Sequence, residues 1–316
     1  PGAAHYVIHS FDDPVHAPLG LEAALAYADI APDAAHAQHM TTHIFLALGM
    51  WDDLVEANER ADAVVDRGRA ERGLPPTDCG HYNEWLAYGY EQQGRTAAAR
   101  ALVTGCMRAA GEQPRRAVSA TGMRALYLAS TNDVDGAVAR RQLALDPLSG
   151  ADRSTVLLVQ HWASGFAAAG RGDADRARRH LAAFEEHLAT DPDVRAYWAG
   201  YVPVWRGTLR SVVAAAEGDL DAAITHAHEA AEHEAALPVD FGPPIAFKPP
   251  RELEAELLLS AGRVEEAIVA FRTALDRTPR RTLTLEGLAA ATDAAGSDAL
   301  ARWAREQLAE IRRGGR

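Results

Sequence analysis

A glycine followed five residues later by alanine, with small or apolar residues at nine and twelve, recurs along this chain. It reads Gly94/Ala99/Val103/Cys106, Gly172/Ala177/Leu181/Phe184, Gly218/Ala223/Ala227/Ala230, Gly262/Ala267/Phe271/Ala274 and a degenerate Gly296/Ala301/Arg305/Leu308. Each glycine marks a point where a helix can end in the left-handed conformation without a Cβ penalty, and each alanine lets the next helix pack closely. The unit is therefore helix, tight turn, helix. Units that recur, over the last four copies, about 34 to 46 residues apart cannot bury their apolar faces alone and must stack on their neighbours.

Composition agrees with this reading. Apolar residues make up 48% of the 316, mostly alanine and leucine, and aromatics only 7%, which favours closely packed helices over sheets. The expected fold is all-α, a tetratricopeptide-like helical-hairpin solenoid forming one domain over 1–316. Within it fall histidine-rich repeats (1–110), middle repeats (111–237), a proline-rich lid or linker (238–250) and C-terminal repeats (251–316). The pattern predicts helices over 2–11, 33–49, 80–93, 134–145 and 195–217, among others. Alternate helices, the first of each pair, line the concave surface.

The net charge of −12 argues against binding a phosphate backbone, which rests on many Lys and Arg contacts. No nucleic-acid partner is expected. No run approaches the roughly 18 apolar residues of a membrane span, so a soluble, cytoplasmic protein without a membrane partner is expected. Cys79 and Cys106 match no zinc ribbon or redox spacing and are expected to be reduced residues in or near the core.

The chemistry concentrates in histidine. His36, His39 and His43 share one face of a predicted helix, and His5 and His9 repeat the four-residue step upstream. With His81, six histidines fall on three consecutive inner-layer helices, whose packing distance of about 8–10 Å lets their side chains converge. A cluster of unpaired imidazoles is costly to desolvate and repels itself when protonated, and a bound cation resolves both problems. The expected metal ligands are His5, His9, His36, His39, His43 and His81, in a mono- or dinuclear site. Imidazole-rich sites suit copper, iron or zinc. Neither histidine pair carries the Glu that follows the first His of a zinc protease, which disfavours that class.

Around His81, Tyr82 and Glu84 are candidate catalytic side chains, and Asp78 or Glu84 could orient an imidazole. Asp78 is alternatively a helix N-cap. The segment from Pro238 to Pro250 could fold into the groove as a lid, with Lys248 offering charge to an anionic substrate, or serve as a packed linker. His161 is a core or rim residue, while His16, His180, His187, His226, His228 and His233 should face solvent. The expected activity is copper- or iron-dependent oxidation of a small molecule, with dioxygen as a possible partner. A zinc hydrolase and a peptide-binding scaffold are the alternatives.

Pro1-Gly2-Ala3-Ala4-His5-Tyr6 with His9, then His36, His39, Met40, His43, Ile44, Phe45, Gly49 and Trp51, and later Gly242-Pro243-Pro244, Lys248-Pro249 and Glu252 carry a family resemblance. On these residues the chain resembles a widespread group of bacterial tetratricopeptide-repeat proteins. The resemblance implies the repeat fold and the histidine pattern, but no reaction. The family pattern has a proline-serine pair where this chain has Thr41-Thr42. It also has a further histidine and a helical region ahead of Pro1, so the natural chain is expected to extend upstream.

Overall fold

A computed structural model describes residues 2–314; Pro1, the first of the residues on which the resemblance rests, lies outside the described residues. The elements are α1 (Gly2–Ser10), α2 (Ala17–Ile30), α3 (Ala35–Ala47), α4 (Trp51–Ala70), α5 (His81–Gln92), α6 (Thr96–Glu112), α7 (Ala117–Thr131), α8 (Ala137–Arg140) and α9 (Gly150–Gly170). They continue with α10 (Ala174–Thr190), α11 (Pro192–Tyr197), α12 (Val202–Glu217), α13 (Leu220–Ala235), α14 (Pro250–Ser260), α15 (Val264–Arg277), α16 (Thr282–Ala294) and α17 (Asp298–Gly314). The described residues are all-helical, without strands, and helices adjacent in sequence pack in pairs. None of these helices is long and apolar enough to cross a membrane.

The repeat pattern acts as its chemistry predicts. Gly94, Gly172, Gly218, Gly262 and Gly296 all adopt positive φ, between 69° and 86°. The residue after each glycine donates its N–H to the carbonyl five positions back, at 2.8–3.0 Å, so each helix end closes on itself. Five residues on, Ala99, Ala177, Ala223, Ala267 and Ala301 are buried, as are Val103, Phe184, Ala227 and Phe271 further along the same helices.

Three local expectations are corrected. The helix predicted over 134–145 shrinks to α8, because side chains take over its backbone partners. Arg124 donates to the carbonyls of Val138 (3.0 Å) and Ala139 (2.7 Å), and Gln160 accepts from the N–H of Leu143 (2.6 Å). The helix predicted over 195–217 divides into α11 and α12. Asp191 caps the first, accepting from the N–H groups of Asp193 and Val194, and Pro203 opens the second, where a missing N–H costs nothing. The cysteines are not reduced: Cys79, just ahead of α5, and Cys106 on α6 form a disulfide with Cα atoms 4.4 Å apart. Only the antiparallel packing of α5 on α6 brings these positions together.

The last helices return to the first. Gly49 turns at φ 65°, where a Cβ would lie 2.5 Å from the Pro279 carbonyl oxygen, and the Trp51 indole N–H donates to the Arg280 carbonyl at 2.9 Å. Thr282 donates its N–H to the side-chain oxygen of Gln92 at 3.0 Å. Beneath this seam lies a buried charged cluster. Glu252 accepts from Arg281 Nε at 2.9 Å and Lys248 Nζ at 2.8 Å, and Lys248 also reaches Glu256 at 2.7 Å. Arg281 extends the cluster to Tyr88 (3.1 Å) and Ser130 (3.3 Å), so one guanidinium ties the C-terminal helices to α5 and α7.

Removing one partner of a buried ionic cluster leaves an uncompensated charge. Arg281→Met is therefore expected to lower the unfolding free energy by about 3–5 kcal/mol, read as a drop in the urea midpoint. An unchanged midpoint would show that this seam does not hold the chain closed.

Candidate metal centre

α1, α3 and α5 place the six predicted histidines side by side. From ring to ring the centroids are 5.2 Å (His36 to His5), 4.9 Å (His5 to His9), 5.0 Å (His9 to His43), 5.3 Å (His43 to His39) and 4.5 Å (His39 to His81). The arrangement is a row and not a single converging centre. His39 and His43 form its buried floor, while His36, His9 and His81 are exposed.

The tightest set adds a residue that the pattern of histidines did not reveal. Asp12, just past the end of α1, places Oδ2 3.0 Å from His9 Nδ1 and 3.2 Å from His43 Nδ1. Among the described residues, His9, Asp12 and His43 alone form a group of His, Cys, Asp or Glu donor atoms all within 4.8 Å of one another. Burial by itself would raise the Asp12 carboxyl, but the hydrogen bonds from His43 and His9 outweigh it and hold the group below the usual range. A carboxylate three residues after His9 was the available signal.

His39 is prepared differently. Asn58 on α4 donates its amide to the Leu54 carbonyl at 3.2 Å, which turns its oxygen toward His39 Nδ1 at 2.9 Å. Nδ1 then carries the proton, and the lone pair falls on Nε2, which is buried without a partner. Burial drives the His39 pKa down to about 3 against the opposing hydrogen bond. It also lowers His36, His81 and His43, in the last case despite Asp12. These rings are neutral at pH 7, the form in which imidazole binds a metal. No sequence spacing pointed to Asn58.

Aromatic side chains wall the row. Trp85 stacks on His43 at 4.6 Å, and Phe241 covers the same ring at 5.2 Å and His9 at 5.8 Å. The proline-rich segment is exposed over 238–241 and buried from Ala246 on, with Phe247 stacked on Trp205 at 5.3 Å and the Trp205 indole N–H bonded to the Ile245 carbonyl at 2.8 Å.

The other candidates separate. Tyr82 lies beside the row, 4.8 Å from the His39 ring, with its phenol raised by burial. Glu84 lines a cavity with Trp85 and has no bond to an imidazole. Lys248 does not offer charge to the groove; it is 1% exposed and committed to Glu252 and Glu256. Asp78 neither caps α5, whose N-cap is Gly80, nor meets a histidine; it pairs with Arg108 at 3.4 Å.

His161 and His180 form a second imidazole pair, Nδ1 to Nδ1 at 3.2 Å, so His180 does not face solvent as expected. One ring must donate and the other accept, which excludes protonation of both. Burial, then His161, lowers His180 to about 4. A histidine held down in the fold contributes stability above pH 6.5 that is lost as pH falls through about 4. His180→Gln is expected to flatten the dependence of the urea midpoint on pH between 6.5 and 4; an unchanged slope would refute the pairing.

No protein-family model matches the chain, and no curated protein matches it either.

Proposed function

We propose that the protein is a metal-dependent oxidoreductase acting on a small molecule, built on a tetratricopeptide-like solenoid. The observation that carries this reading is the His9, Asp12 and His43 set. An ion taking the place of the two Nδ1 protons would have ligand atoms about 2.0–2.2 Å away and roughly 3 Å from one another, the scale of the 3.0 and 3.2 Å contacts of Asp12 with the two Nδ1 atoms. Two imidazoles and one carboxylate with free positions suit ferrous iron and its chemistry with dioxygen. The carboxylate thus favours iron over copper, while the neutral nitrogens of His39 and His81 could extend the site toward a second ion.

The peptide-scaffold alternative is weakened by the segment from Pro238 to Pro250, whose Phe241 covers His9 and His43 and whose Phe247 packs on Trp162 and Trp205. The Cys79–Cys106 bridge favours an oxidising compartment over the cytoplasm.

Elemental analysis of the purified protein tests the proposal. Iron or copper should be present at about one ion per chain, and affinity should fall by about 10–100-fold or more in Asp12→Ala and His43→Ala with helical circular dichroism retained. Stoichiometric zinc would favour hydrolysis by a metal-bound hydroxide instead. A wild-type protein that takes up no metal on titration would overturn the reading.

A further inference from the structure

Trp85 and Phe241 also line a cavity of about 290 Å³. Its walls include five aromatic side chains, Trp85, Trp198, Trp205, Phe241 and Phe247. The polar ends of two of them are already used: Trp198 donates to Thr155 at 3.1 Å, and Trp205 to the Ile245 carbonyl. Among the described residues, the only acidic side chain in the lining is Glu84, one residue before Trp85 on α5, and no basic side chain lines the cavity. Glu84 takes part in no ion pair with a described residue, and the polar side chain beside it in the lining that acts on its carboxyl is Ser119. Burial raises its carboxyl above the usual range.

A carboxylate held in a largely apolar cavity without a cation is unfavourable, and is relieved either by taking up a proton or by a ligand that brings a positive charge. Aromatic faces attract the same kind of ligand, since a cation over a ring gains energy when desolvated. A dry cavity of about 150 Å³ accepts benzene, so this one has room for a substituted ring. We propose that the cavity binds an organic amine with an aromatic body, its ammonium paired with Glu84 and its ring among the tryptophans. Trp85 and Phe241 also cover His43, so the bound amine would share these two rings with a candidate metal ligand. As the substrate class for the oxidation it rests on the metal reading; as a binding site it does not.

The test compares phenethylamine with its neutral isostere 2-phenylethanol by calorimetric titration at pH 7.5, on wild type, Glu84→Gln and Asp12→Ala. Wild type should bind the amine at least tenfold more tightly than the alcohol. Glu84→Gln should abolish that preference while binding the alcohol as before, and Asp12→Ala should retain it, which separates the cavity from the ion. Equal affinity for the two probes in wild type, no binding of either, or an undiminished preference in Glu84→Gln would each overturn the proposal. Should Glu84→Gln not fold, the wild-type ratio alone decides.

Discussion

Arg281, buried and paired with Glu252, carries the contacts that join the C-terminal helices to α5 and α7. Pairs of helices joined only to their neighbours form an open array whose ends move apart freely. Here the guanidinium bonds Glu252 within the C-terminal part, and Tyr88 and Ser130 on α5 and α7. Lys248 balances the second carboxylate oxygen from the end of the proline-rich segment. One cluster of charges thus sets the position of α5, of that segment and of the C-terminal helices together.

The consequences reach the imidazole row. α5 carries His81, Tyr82, Glu84 and Trp85, and the segment anchored by Lys248 carries Phe241. Trp85 and Phe241 press on His43 from two sides and remove it from water. Desolvation keeps the ring neutral, while Asp12 and Asn58 aim the rings of His43 and His39. Lys248 therefore serves the site through packing, at a distance, and not through charge offered to a ligand.

Much of the architecture was legible because it is local. A glycine that ends a helix and an alanine that allows close approach act within about ten residues, so their spacing shows in the chain. The grouping of His5, His9, His36, His39, His43 and His81 was legible for a related reason, since helical spacing and the alternation of layers place them on one surface. The role of Asp12 was within reach, three residues from His9. Asn58, Phe241 and the Cys79–Cys106 bridge were not, because each meets its partner only through packing between elements.

Local sequence determined which stretches are helical, where most of them stop and which side chains share a face, because these follow from backbone geometry and periodicity. It failed at residues 134–145, where Arg124 and Gln160, from other helices, take the backbone partners that a helix would supply. Tertiary structure alone decided which lone pair of His39 is free, that Lys248 is consumed within the core, and that Glu84 faces an aromatic cavity. Those outcomes depend on desolvation and on hydrogen-bond partners distant in the chain, which no local spacing encodes.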